Sequence, residues 1–240
     1  MRYKGLAMNL RLKAIHNHAL DFWYARSSVV VIIGLQLLII IKLTLGPRWL
    51  APVLEGALLV PLSFATAWTQ GRARDAVSEQ HWVTVARARK FIRGLAVAIT
   101  ALITLMNFGS LLYLIKALLG GHSGNSGQSL LLDAINIWGT NVIAFALWYW
   151  NIDRGGPASQ GLTTVDQDDF LFPQMNICSC SDWVPGFVDY LYLSFTNAAA
   201  FSPTDTMPLS ERAKLLMMAE SAISLLTLAL VAARAVNILN

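Results

Sequence analysis

Four apolar stretches, at 28–45, 49–68, 95–119 and 130–150, are each long enough to cross the hydrocarbon core of a bilayer. Such a crossing takes about 20 residues at about 1.5 Å of rise per residue. No water inside hydrocarbon can bond backbone N–H and C=O groups, so each stretch must satisfy its own and fold as a helix. Composition agrees, with 55% of residues hydrophobic and only 13% charged. A water-soluble domain carries about 25% charged residues, enough to cover a wet surface. The expected fold class is therefore all-α, a polytopic transmembrane helical bundle. Five to six spans are expected, with a short re-entrant or spanning helix before the last helix.

Residues 1–26 are polar and basic, and the apolar run after them is too long for the core of a secretory signal, so no cleavable leader is expected. Gly46-Pro47 makes a tight turn between the first two stretches, which then form a hairpin. Trp49 and Trp68 suit the two interfaces, and Pro52 and Pro61 bend the second span. Residues 70–94 form a charged segment, of which 76–93 reads as an amphipathic helix running into the third span. Arg87, Lys90 and Arg93 recur at every third position, as in a voltage sensor. They stop where the apolar run begins, which marks a surface anchor instead.

The formal net charge is +4. Its basic residues collect at Arg2, Lys4, Arg11, Lys13 and Arg26, and again at Arg72, Arg74, Arg87, Arg89, Lys90 and Arg93. That distribution follows the positive-inside rule, placing the N-terminus and the basic loop 70–94 in the cytosol against anionic headgroups. The partner implied is the lipid bilayer of the cell membrane, not a nucleic acid. The chain divides into a membrane region at 1–150, an acidic polar loop at 151–185 and a helix–loop–helix unit at 186–240. The loop holds Asp153, Asp166, Asp168, Asp169 and Asp182 against Arg154.

Enzyme chemistry is not expected, because no nucleophile elbow, phosphate loop or His-Glu-x-x-His pattern is present. His16-Asn17-His18 stands in the basic leader with His81 and His122 far off in sequence, so no metal site and no cofactor are expected. Cys178 and Cys180 are separated by one residue, too close for an unstrained bridge, and read as unpaired or intermolecular thiols.

The informative part is the end of the chain. Asp189-Tyr-Leu-Tyr192-Leu-Ser194-Phe195-Thr196 opens a short helix over 186–200. Thr204-Asp205-Thr206-Met207-Pro208 closes the following loop, and Glu220 lies on a long apolar helix over 209–239 that also carries Ala229-Leu-Val-Ala-Ala-Arg234. This order resembles the pore module of two-transmembrane potassium channels, in which an outer helix, a re-entrant pore helix, a filter and an inner helix follow one another. Asp205 and Pro208 match the Asp-x-x-Pro end of that family's filter motif. The filter itself departs from the pattern. Asn197-Ala-Ala-Ala-Phe201-Ser-Pro203-Thr204 contains no glycine and is one residue longer between Thr196 and Asp205. A carbonyl-lined filter needs the backbone freedom of glycine, so potassium selectivity is not expected. Ser224 stands where many inner helices of that family carry a hinge glycine.

The same segment is similar to an uncharacterised family of small bacterial inner-membrane proteins that end in an Asp-Phe-Leu-Tyr-x-Ser-Phe-Thr helix, a Ser/Thr-Asp loop and a final apolar helix. The aromatic end Trp148-Tyr149-Trp150 and the Gly155-Gly156-Pro157 loop fit that family as well. The resemblance covers roughly the last 100 residues and implies an architecture without naming an activity.

Polar groups within the spans are Gln36, Lys42, Glu55, Asn107, Asp133, Asn136, Asn141 and Glu220. At membrane depth such groups face a partner or a water-filled path. Lys42 and Asp133 lie near span ends and are expected to snorkel, while the three asparagines read as bonds between helices. Glu220 either lines a polar cavity or caps the re-entrant loop, or else makes a structural hydrogen bond between helices. The candidates for a pore or polar path are Ser194, Thr196, Asn197, Thr204, Asp205, Glu220, Ser224 and Glu55.

Two functions are consistent with these residues. One is a channel-like or transporter-like protein, a homo-oligomer passing an ion or small solute. The other is a non-conducting structural or sensory protein that binds partners through 151–185. The orientation rule puts 151–185 in the cytosol, whereas a potassium-channel module needs that loop outside. The short helix therefore either spans the bilayer or re-enters it.

Overall fold

The computed structural model describes residues 19–38, 53, 79–119, 127–153, 168–176, 183–199 and 205–239. Among these the chain is mostly helical, with α1 at Ala19–Leu38, α2 at Glu79–Leu119, α3 at Gly127–Ile152, α4 at Phe187–Ala199 and α5 at Glu211–Leu239. A 3-10 turn covers Pro173–Asn176, and two two-residue strands, β1 at Phe170–Leu171 and β2 at Met207–Pro208, pair antiparallel. Phe170 lies opposite Pro208 and Leu171 opposite Met207.

Among the described residues three helices are long and apolar enough to cross a membrane, through Phe91–Ala117, Leu130–Ile152 and Glu211–Ala233. The third, fourth and last of the sequence stretches therefore appear as membrane-length helices. Of the first stretch only the early part is described: α1 starts nine residues before Ser28, its apolar part among the described residues is Trp23–Leu35, and 39–45 lie outside them. The second stretch, with Glu55, lies outside the described residues, as do Lys42, Thr204, both cysteines, His16, His18 and His122. The basic segment expected to be helical does run without a break into the third span, so that α2 is 41 residues long. At about 1.5 Å per residue it reaches roughly 60 Å.

Helix α3 is the hub, packing against α5, α4, α2 and α1. Its span is 67% buried, against 33% for that of α2 and 17% for that of α5. The core along it joins Ile32, Ile103, Phe145, Tyr149, Phe170, Phe187, Tyr190 and Leu193. A smaller cluster near the start of α3 joins Leu111, Leu114, Leu130, Ala134 and Ile137. Around the end of α3 the aromatics meet edge to face, with ring centroids of Tyr149 and Phe170 5.1 Å apart and those of Trp150 and Phe187 5.4 Å apart. That geometry sets the positive edge of one ring against the negative face of the other.

Polar side chains fasten the helices where apolar packing alone gives no preference in lipid. Asn107 Nδ2 donates to the Ile137 carbonyl at 3.1 Å, joining α2 to α3. Asn136 Nδ2 donates to the Leu35 carbonyl at 2.5 Å. This bond joins α3 to α1. Trp148 Nε1 donates to Thr104 Oγ1 at 2.9 Å. Asp133 departs from the snorkelling expected of it. It is 2% exposed on the inward side of α3, nearly two turns inside the helix start and beside Ala134 and Ile137 of the smaller cluster.

Candidate functional site

The short helix α4 is amphipathic in a simple way. Tyr190, Leu193, Ser194 and Ala198 are buried, and Val188, Tyr192 and Phe195 face out. Its start is fixed by Asp189, which accepts from the Gly186 N–H at 2.7 Å, while its own N–H donates to the Gly186 carbonyl at 3.1 Å. This is the backward half of a capping box and satisfies donors that a helix start leaves open. α4 thereby packs against both α3 and α5, which also meet each other directly.

α5 presents the complementary stripe. Glu220, Ser224 and Thr227, at helical spacing of four and three, are all fully buried, whereas Leu215, Met218, Leu225 and Leu226 are exposed. Side chains at these spacings share one face of a helix. That face meets α3 and α4. Asn141 Nδ2 of α3 donates to Ser224 Oγ at 3.0 Å. The Glu220 carboxyl is the centre of the site, with partners from both neighbouring helices. The Tyr149 hydroxyl and Asn197 Nδ2 both reach Oε2, the latter at 2.7 Å, and Ser194 Oγ bonds with Oε1. Ser194 Oγ also lies 2.6 Å from the Val142 carbonyl. Asn197 is held in turn, because its Nδ2 donates to the Met217 carbonyl at 3.1 Å and its Oδ1 accepts from Ser221 Oγ at 3.1 Å.

A second polar knot closes the end of the unit. Asp153, fully buried just past α3, accepts through Oδ1 from the backbone N–H groups of Asp169 at 2.7 Å and Phe170 at 3.3 Å, and through Oδ2 from the Tyr190 hydroxyl at 2.5 Å. Asp169 receives both arms of Arg212, Nε to Oδ1 at 2.7 Å and a terminal nitrogen to Oδ2 at 2.6 Å, with Ser210 Oγ bonded to the same Oδ1. The fork of a guanidinium matches a carboxylate in this way. The Asp169 carbonyl accepts from the Leu209 N–H at 2.8 Å, extending the β1–β2 pairing. Ser210 in addition caps α5, accepting from the Ala213 N–H at 3.2 Å. The described part of the acidic loop is thus tied down at Asp153 and Asp169.

The site candidates separate on this frame. Ser194, Asn197 and Glu220 come together, and Ser224 sits one turn along on the same stripe with Asn141. Thr196 turns back on its own helix, its single hydroxyl hydrogen within reach of the Tyr192 and Leu193 carbonyls, which lie 2.8 and 3.0 Å from Oγ1. Asp205 is exposed at the loop end. Thr204 and Glu55 lie outside the described residues. Two features carry no signal in the sequence: the role of Tyr149, which reads there only as part of the aromatic end of the fourth span, and the anchoring of Asp153 and Asp169 by Tyr190, Ser210 and Arg212. Among the described residues no group of three His, Cys, Asp or Glu side chains gathers in a way that could hold a metal ion. Comparison with protein-family models, with curated proteins and with solved structures finds no match for the chain.

Proposed function

We propose that residues 127–239 form a channel-like or transporter-like membrane module that is not selective for potassium. The observation that carries this reading is Glu220, a carboxyl fully buried on a membrane-length helix where that helix meets both a short helix and a second membrane-length helix. An ionisable group at that depth is costly and is commonly kept for moving charge or solute. The order of long helix, short helix and long helix supports a re-entrant role for α4, since its 13 residues fall well below a crossing. The loop after it, without glycine, argues for a permeant species other than bare potassium. The chain belongs in the cell membrane, as a homo-oligomer, with the N-terminus cytosolic as its basic residues suggest.

Purified full-length protein in proteoliposomes tests this, with flux of protons, monovalent cations and anions followed at both polarities. Flux that is lost in Glu220→Ala is the expected result. Absence of any flux, or wild-type flux after Glu220→Ala, overturns it. A second reading, a non-conducting structural or sensory protein, is favoured by one feature: the hydrogen bonds of Glu220 close within a single protomer. Absent flux together with partner capture that depends on 151–185 would select it.

A further inference from the structure

We infer that Glu220 is a proton-binding site, its carboxyl held as the neutral acid with the proton between Oε1 and Ser194 Oγ. The hydrogens available to the cluster fix where its protons lie. Glu220 has three hydrogen-bond partners, Tyr149, Ser194 and Asn197, and none is charged. Tyr149 has one hydrogen and uses it on Oε2. Asn197 has two, used on Oε2 and on the Met217 carbonyl. Ser221 gives its one to Asn197 Oδ1, which fixes the orientation of that amide.

Ser194 is then the member that decides. Its hydroxyl carries one hydrogen, yet its oxygen stands within bonding distance of two acceptors, the Val142 carbonyl and Glu220 Oε1. A hydroxyl donates once and accepts with its lone pairs. Were Glu220 a carboxylate, one of those two close oxygen pairs would have no hydrogen between its atoms. A proton on Oε1 resolves the conflict: Glu220 donates to Ser194, and Ser194 donates to Val142. Every close contact of the cluster then contains one hydrogen. The surroundings point the same way, because an unpaired carboxylate buried away from water is strongly disfavoured. The titratable group facing Glu220 from α3 is Tyr149. α4 contributes Ser194 and Asn197, which do not ionise.

This deepens the reading above by naming the proton as the species bound at the buried carboxyl. The test does not depend on flux. Infrared spectra of the full chain in lipid bilayers at neutral pH should contain the C=O stretch of a protonated carboxylic acid, which shifts on exchange into D2O and is lost in Glu220→Gln. Ser194→Ala, which removes the acceptor of that acid, should move the same band to higher frequency. It serves as the measurement if the glutamine variant does not fold. An acid band that persists in Glu220→Gln, its absence from the wild type, or a band that Ser194→Ala leaves in place would each overturn the inference. The acid band in a protein without flux would sink the transport reading and keep this one. Flux with an ionised Glu220 would do the reverse.

Discussion

Replacing Asp153 by alanine should destabilise the unit more than any other single change at its polar end. The carboxylate accepts from two backbone N–H groups, at 2.7 and 3.3 Å, and from the Tyr190 hydroxyl at 2.5 Å. Hydrogen bonds to a charged group contribute about 1.5–3 kcal/mol each. The 3.3 Å bond is long, and water entering the vacated space recovers part of the loss, so the two short bonds set the scale. The cost is then about 3–5 kcal/mol. For a chain of this size each kcal/mol lowers the melting temperature by about 2–4 °C, so a fall on the order of 10 °C is expected. Asp153→Asn is the informative control. Its Oδ1 still accepts from both N–H groups, and its Nδ2 can donate to the Tyr190 oxygen, so the fall should be less than half that of the alanine variant. The assay is the temperature at which half the protein leaves the monodisperse gel-filtration peak in mild detergent. An alanine variant within about 3 °C of wild type, or an asparagine variant as unstable as the alanine one, would refute the assignment of Asp153 as the anchor.

Two further outcomes follow from other contacts. A double-mutant cycle of Asn141→Leu and Ser224→Ala should give a coupling of about 0.6–1.7 kcal/mol, the range measured for hydrogen bonds between membrane helices, and additive losses would remove the α3–α5 bond from the account. Ser210→Ala should lower stability by about 1 kcal/mol through loss of the α5 cap. Ser210→Asp, ordinarily a good cap, should be worse than alanine because its carboxylate would stand against Asp169; thermal unfolding of the two variants decides the order.

The parts of this architecture that follow from periodicity or length are readable from sequence. The helices at 95–119, 130–150 and 209–239 are set by runs of apolar residues, and α4 and the extension of α2 by the absence of breakers. Asn107, Asn136 and Asn141 were legible because a polar amide in hydrocarbon has little choice but to bond a neighbouring helix. Glu220 was legible as a site for the same reason, although its partners were not. Tyr149 lies 71 positions from Glu220, and no periodic signal links them. The knot at Asp153 was hidden for a different reason. Five aspartates in a polar stretch look like a solvated loop, and nothing local distinguishes two that find backbone N–H groups or an arginine 43 residues on. Strands of two residues carry no alternation at all.

The central position of α3 also has a consequence for how the chain is made. As it emerges during synthesis, α3 brings Asp133, Asn136, Asn141 and Tyr149 toward the bilayer before α4 and α5 exist to meet the last two. An early neighbour meets Asn136 through Leu35, whereas the partners of Asn141 and Tyr149 on α5 are still to be made. Insertion of α3 is therefore incomplete as a folding step until some seventy further residues have been translated. A ribosome stalled between the two helices would leave a membrane segment with its polar side uncovered, open to membrane chaperones and quality-control proteases.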